Sequence, residues 1–469
     1  MPRLTVSVSS LAFLAACSST PPEPSLGALY SRAAQASIDD RNPVIVIPGM
    51  LGSNLSNAET GERLWGGFAN VYADPTTEEG LRSLTLPMVE GVHLHDLTDN
   101  VRPSGSLETV DVNVLGVPLE ISAYRDIIRS LGVGGYVDRE ITIAANVGNQ
   151  IDYGAEHYSC FQFSWDWRRD LSESAVKLHE YITRDVIPYV RSKRDGAPVE
   201  VDLVAHSMGG LVVRYYLMYG PQPLPKDGSL PELTWEGAQY VDRAILVGTP
   251  SSGSVGSLDS LIEGTDPGPF IKPYPAAQVA SFPGVYQLLP RARHEAIVDL
   301  ATGDPLNVFD VALWEERGMG QLGPDQDEVL QVLLPEAQTR AERLAIVRDH
   351  TAKCLAIAEQ VGRALDVEAS TPAGLSLQLV AGDAEQTRAV VALDAEGRIH
   401  EVASAPGDGT VTRASALADQ RSDDHWTPRV QTPVDWDRVT FLFENHLNLT
   451  KSAEFTDNLL YQLIEAPEL

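Results

Sequence analysis

Ser207 stands at the end of the apolar run Val201-Asp202-Leu203-Val204-Ala205-His206. Met208-Gly209-Gly210 and a helix-compatible stretch, Leu211 to Met218, follow it. The order strand, turn, helix suits a nucleophile held on a sharp bend. Such a bend needs small residues two positions to either side, and Ala205 and Gly209 occupy them. Glycine is usual at the first of these positions, so Ala205 is a minor departure. A helix beginning just behind the serine aims its first N–H groups at developing negative charge. These residue types predict attack on an acyl carbonyl.

A serine used this way needs a histidine base, an acid to orient it and donors for an oxyanion. In α/β-hydrolases the chain order is nucleophile, acid, base. For the acid, Gly407-Asp408-Gly409-Thr410-Val411 places glycines on both sides of Asp408, which lets a turn project the carboxylate. Asp383, directly after the strand-like Leu377 to Val380, is the rival. For the base, His294, His350, His400, His425 and His446 are available. His446 comes just after the apolar run Val439 to Phe443, the loop where this fold places the base. His206 is set aside as a base because neighbours on the elbow point apart. For the oxyanion, Pro48-Gly49-Met50-Leu51-Gly52-Ser53 follows the first clear strand. The backbone N–H groups of Met50 and Met208 are the two expected donors.

The elements that must hold these residues are short buried strands alternating with helices. Val44 to Ile47, Phe161 to Ser164, Val201 to Val204, Ala244 to Val247, Leu377 to Val380 and Val439 to Phe443 read as strands. Ser172 to Ser192 and Arg340 to Leu365 read as helices between them. The alternation predicts an α/β fold with a mostly parallel central sheet covered on both faces. Residues 41–469 form the expected catalytic domain. Two regions break the pattern and read as cap or lid insertions: an irregular one near 54–135, and 251–324, whose first part is rich in Gly, Pro and Ser. The segment 389–402 reads as a β-hairpin turning near Glu396-Gly397.

A net charge of −30, from 35 Lys and Arg against 65 Asp and Glu, argues against nucleic acid, whose phosphates need basic patches. It also disfavours electrostatic docking on an anionic membrane. Three cysteines are too few for a disulfide scaffold. Cys354 lies on a helical apolar stripe with Leu344, Val347, Ala358, Val361 and Leu365, which predicts a buried, inert thiol. Nothing in the sequence supports pairing it with Cys160. No metal or cofactor motif appears, so none is expected.

The N-terminus reads as an export signal. Met1-Pro2-Arg3 is basic, and Leu4 to Ala16 is apolar but too short to span a bilayer. The run ends Leu14-Ala15-Ala16-Cys17, which resembles a bacterial lipobox. That resemblance implies a signal peptide over 1–16, a lipidated Cys17 and a tether over 17–40. The expected location is a membrane surface outside the cytoplasm, the bacterial outer membrane or cell surface.

The ordered motifs resemble the lecithin:cholesterol acyltransferase family, which includes lysosomal phospholipase A2 and phospholipid:diacylglycerol acyltransferase. The resemblance runs from about Pro43 to the C-terminus. It rests on Ile47-Pro48-Gly49-Met50-Leu51-Gly52-Ser53, Leu64-Trp65-Gly66-Gly67, Trp165-Asp166-Trp167-Arg168, Ala205-His206-Ser207-Met208-Gly209-Gly210, Gly248-Thr249-Pro250, Gly407-Asp408-Gly409-Thr410-Val411 and His446-Leu447. It implies an α/β-hydrolase fold, a triad of Ser207, Asp408 and His446, an oxyanion hole at Met50 and Met208, and a flexible lid from Ser251 to about Pro275. Asp166 and Arg168 fit either a substrate contact or a buried ion pair, and the pair is the simpler reading. Eukaryotic members carry a cysteine-closed, lipid-contacting loop after the oxyanion strand. No cysteine lies between Cys17 and Cys160, so that loop is absent or held differently.

The implied activity is acyl transfer or hydrolysis on phospholipid or other acyl-lipid esters through an acyl-Ser207 intermediate. Two alternatives stand beside it. One is a secreted lipase or carboxylesterase with water as acceptor. The other is an inactive hydrolase fold that binds lipid.

Overall fold

The computed structural model describes residues 25–35, 41–66, 73–106, 109–114, 117–122, 124–141, 157–266, 272–421 and 427–466. Its central sheet has six strands: β1 (Val44–Ile47), β2 (Cys160–Gln162), β3 (Val201–His206), β4 (Val241–Val247), β5 (Ser376–Gly382) and β6 (Arg438–Leu442). They lie in the order β6-β5-β4-β3-β1-β2, every pair parallel. The fold is α/β with a mostly parallel central sheet, as the alternation of apolar runs predicts. β1 and β3 are buried at every residue because helices cover both faces.

The two faces separate by the period of two along each strand. Ile45, Ile47, Leu203, Ala205 and Leu246 join the larger core, with α1 (Leu171–Tyr181), α2 (Met208–Tyr219) and α3 (Arg340–Leu365). Val44, Val46, Val204, Ile245 and Val247 face the other way, onto Tyr124, Ile127, Leu131, Leu459 and Leu463. α3 spans the residues its apolar stripe predicts, and a capping box of Thr339 and Glu342 starts it. The helix read over 172–192 is broken by a π turn at Ile182–Val186 before a second helix, Ile187–Lys193. Pro188 at the start of that second helix lacks the N–H that a continuous helix would use.

Two regions are more ordered than their composition suggests. The segment near 54–135 is not irregular. Ser53–Asn57, Arg63–Trp65 and Val101–Ser106 form an antiparallel sheet, Thr109–Val114 pairs with Val117–Ser122, and Glu78–Leu84 and Arg125–Val133 are helices. The described part of Ser251 to Pro275 is packed rather than loose. Helix Gly256–Glu263 buries Leu258 and Leu261, and Tyr274 is buried as well. Apolar residues three apart at 255, 258 and 261 supply that face among the Ser and Gly residues. The predicted hairpin is present and longer, Glu385–Leu393 against Ile399–Gly407, with Ile297–Asp299 as a third strand.

Because all six central strands run the same way, their carboxyl ends share one edge. Pro48, Ser207, Gly248, Asp383 and the loop to His446 all follow those ends. Asp408 reaches the same edge from the end of the hairpin that is inserted after β5.

Candidate active site

The elbow is strained as its role requires. Ser207 has φ +54° and ψ −128°, a conformation that costs a non-glycine residue energy. Its N–H donates to the Val247 carbonyl at 2.8 Å, which ties the bend to β4. Close packing explains the neighbouring glycines. A Cβ on Gly209 would lie 2.5 Å from the Pro48 oxygen, and one on Gly49 would lie 2.7 Å from the Ser207 Cβ. The loop after β1 therefore rests directly against the serine.

Ser207, His446 and Asp408 form one hydrogen-bonded line. The Ser207 hydroxyl donates to His446 Nε2 at 3.0 Å, and His446 Nδ1–H donates to Asp408 Oδ2 at 2.8 Å. Asp408 Oδ1 accepts the Val411 and Thr410 N–H groups at 2.7 and 2.9 Å. The His446 N–H donates to the Asp408 carbonyl at 2.8 Å, so the two loops are joined through backbone as well. Burial raises the Asp408 carboxyl. The hydrogen bond and charge of His446 and the two N–H donors outweigh burial and hold it below the usual carboxylate range.

The loop after β1 is held by indoles. Trp165 Nε1 donates to the Pro48 carbonyl at 2.8 Å, Trp65 Nε1 to Leu51 at 2.8 Å, and Trp167 Nε1 to Ser53 at 3.2 Å. Gly52 N–H turns back onto the Gly49 carbonyl at 3.1 Å, and Leu51 sits at φ +62°. Among the described residues no hydrogen bond takes up the Met50 N–H. Met208 opens α2, where an N–H has no partner within the helix. Both N–H groups are thus available at the edge that carries Ser207. In the sequence the tryptophan motifs carry only the family resemblance, and the carbonyls that their indole N–H groups hold come from distant segments.

An apolar cavity adjoins Met50. Leu51, Trp65, Leu84, Trp167, Val279 and Phe282 line it together with Thr265 and Tyr274. The side chains nearly fill it, so it is a narrow apolar pocket.

Other sequence candidates fall elsewhere. Asp383 pairs with Arg413 at 3.1 Å and forms no bond with His446. His350 is buried in α3 and donates to the Ser281 carbonyl; His400 is exposed on the hairpin; His294 lies in the short turn Ala292–His294. Arg168 is fully buried. It reaches Asp166 at 2.7 Å, Asp99 at 2.8 Å and the Leu84 carbonyl at 2.7 Å, so the pair with Asp166 is part of the packing of this region. Cys160 and Cys354 are buried free thiols, and burial pushes both well above the ordinary thiol range. The signal peptide expected over residues 1–16, the lipidation site Cys17, Gly67 and His425 lie outside the described residues. Among the described residues no helix is long and apolar enough to cross a membrane, and no cluster of three or more His, Cys, Asp or Glu is placed to hold a metal.

Residues 135–314 match the family model of lecithin:cholesterol acyltransferase. Over that stretch the chain is similar to the family. No curated protein matches the chain. Among solved structures, a chain of the Tle4-Tli4 complex superposes with a TM-score of 0.51 and 15% identity, over 90% of this chain and 98% of that one. EstA from Clostridium botulinum aligns with a TM-score of 0.33 and 12% identity, over 92% and 88% of the two chains. The first likeness is one of fold, and the fold is that of the α/β-hydrolases. The family match supports an enzyme that acts on acyl esters.

Proposed function

We propose that this protein transfers or hydrolyses the acyl groups of lipid esters through an acyl-Ser207 intermediate. The observation that carries the reading is the line Ser207–His446–Asp408, with bonds of 3.0 and 2.8 Å, set beside a loop with an unclaimed N–H. In the first half, Ser207 Oγ attacks the acyl carbonyl carbon and its proton passes to His446 Nε2. The N–H groups of Met50 and Met208 hold the oxyanion. The ester C–O bond then breaks, and the departing oxygen takes the proton from His446. In the second half, water or an alcohol attacks the acyl-enzyme and gives its proton to His446; the acyl carbon–Oγ bond then breaks, and His446 returns the proton to Ser207 Oγ. Asp408 stays ionised and stabilises the charged histidine throughout.

A lipid substrate is supported by the apolar lining of the pocket beside Met50. Two apolar side chains also flank the base on the open edge, Phe443 at 83% and Leu447 at 63% exposure. Exposed groups of that kind suit a lipid surface. A lipid on Cys17 would hold the enzyme at such a surface outside the cytoplasm.

Water as acceptor makes a phospholipase or lipase, and an alcohol makes an acyltransferase. Product analysis decides between them. Residues 18–469 are incubated with acyl-labelled phosphatidylcholine, with and without cholesterol or diacylglycerol, and the products are read by mass spectrometry. A labelled new ester that Ser207→Ala abolishes identifies a transferase and its acceptor. Labelled free fatty acid alone identifies a hydrolase. Unchanged turnover in Ser207→Ala overturns the acyl-Ser207 reading.

A further inference from the structure

Three loops meet at Ser207, and a second hydrogen-bonded line runs behind the first. Gly49 N–H donates to the Tyr124 hydroxyl at 2.9 Å. Tyr124 Oη lies 3.2 Å from His206 Nδ1, and His206 Nε2 lies 3.2 Å from the His446 carbonyl. All three side chains are buried, Tyr124 at 7%, His206 at 4% and His446 at 9% exposure. The rings pack in series, with centroids 5.5 Å apart for Tyr124 and His206 and 4.9 Å for His206 and His446.

The protons along this line have one consistent arrangement. Tyr124 Oη already accepts from Gly49, so its own proton goes to His206 Nδ1. His206 Nε2 must then carry the other proton, which it donates to the His446 carbonyl. The reverse tautomer would set a lone pair against that carbonyl and leave the tyrosine proton without an acceptor. A doubly protonated ring is disfavoured: burial, then the adjacent His446, push His206 down to about 3. Burial also lifts Tyr124 to about 12, so neither group changes charge over ordinary pH.

The line has a consequence for geometry. His446 has its N–H held by the Asp408 carbonyl and its own carbonyl held by His206. Gly49 immediately precedes Met50, so the same line fixes the peptide leading into the proposed oxyanion donor. Tyr124 is also wedged into the turn, since a Cβ on Gly52 would come within 2.4 Å of its ring.

We propose that Tyr124 and His206 are positioning residues that lock the oxyanion loop and His446 in register across Ser207. They touch no reacting atom. The proposal rests on the acyl-ester reading of the site.

The test is a set of four proteins, wild type, Tyr124→Phe, His206→Ala and His206→Gln, with Ser207→Ala as the blank. Turnover of a soluble p-nitrophenyl ester gives kcat and KM. The rate of Ser207 labelling by a fluorophosphonate gives a second readout that needs no knowledge of the natural substrate. Tyr124→Phe keeps the ring and removes the hydroxyl. It is expected to lower kcat and the labelling rate by about tenfold or more, with KM within about twofold. The same loss is expected in His206→Ala. His206→Gln keeps an N–H donor near the Nε2 position and is expected to recover much of it. If Tyr124→Phe and His206→Ala lower only the melting temperature, with kcat and labelling rate unchanged, the positioning role is overturned. Recovery by neither rate in His206→Gln, in a folded protein, argues against the bond to the His446 carbonyl and overturns that link. Full activity in Ser207→Ala instead overturns the reading of the site itself.

Discussion

Gly248 lies against the face of His446: a Cβ on it would sit 3.2 Å from both Cε1 and Nδ1 of the imidazole. Its φ of +58° is left-handed as well, so two constraints select glycine here. Gly248→Ala is expected to cost about 1–2 kcal/mol from backbone strain. It should also push the ring away from Ser207 and lower kcat by about 10- to 100-fold. Thermal melting separates the first effect from steady-state kinetics, which read the second. A variant that loses stability while keeping wild-type kcat would show that the ring accommodates the methyl group.

Asp408 holds the Nδ1–H tautomer of His446, and an amide in its place would hold the wrong one. An Asn side chain can turn its NH2 toward Nδ1, which puts the ring proton on Nε2 and removes the acceptor for the serine. Asp408→Asn is expected to lower kcat on the order of 1,000- to 10,000-fold with the fold intact. Its pH dependence has a definite sign. The folded state holds this carboxyl below its usual 3.8, so its contribution to stability is complete above that value. The contribution is lost as pH falls from about 4 through the lower folded value. Urea unfolding at a series of pH values, followed by circular dichroism, should therefore show the stabilities of the two proteins drawing together below pH 4.

Much of this site is legible in the sequence because the fold places chemistry at strand ends. Ser207 follows an apolar run that forms the fully buried strand β3, His446 follows one that forms the half-buried edge strand β6, and glycines bracket Asp408. Tyr124 is not legible. It lies in a region whose strands, Ser53–Asn57 and Val101–Ser106, are short and largely polar, with Pro103 paired to Leu55, so no alternation marks them. His206 stands in plain view beside the serine, but its role depends on a tyrosine 82 positions away. The indole bonds to Pro48, Leu51 and Ser53 are hidden for the same reason, since side chain and carbonyl come from distant segments. Ser251 to Pro275 is composed like a loose loop, and the packing of Leu258, Leu261 and Tyr274 appears only in three dimensions.

Arg168 and Asp166 separate a structural from a substrate-binding role by kinetics. Arg168→Met would leave the Asp99 and Asp166 carboxylates without their shared partner and is expected to cost about 3–5 kcal/mol. In the folded fraction, measured well below the melting temperature, KM for a phospholipid should stay within about twofold of wild type. A large rise in KM without loss of stability would instead place the guanidinium at the substrate.

Asp202 sets a pH dependence of opposite sign at the other end of the sheet. It is 1% exposed on β3, and burial, then the nearby Asp242 carboxylate, raises it to about 7, with Arg243 acting the other way. The folded protein therefore keeps a proton on this carboxyl that the unfolded chain releases near pH 4. Between about pH 4 and pH 7 the folded state binds more protons than the unfolded one, so stability falls as pH rises and levels off above 7. Asp202→Asn removes the ionisation while keeping the shape. It is expected to be more stable than wild type at pH 8, by up to a few kcal/mol, and to lose that advantage by pH 4. Urea unfolding at a series of pH values reads both curves. Parallel curves would mean that Asp202 ionises in the fold as readily as in the unfolded chain, which would require a cation or water to reach β3 from the Asn42 and Asp242 side.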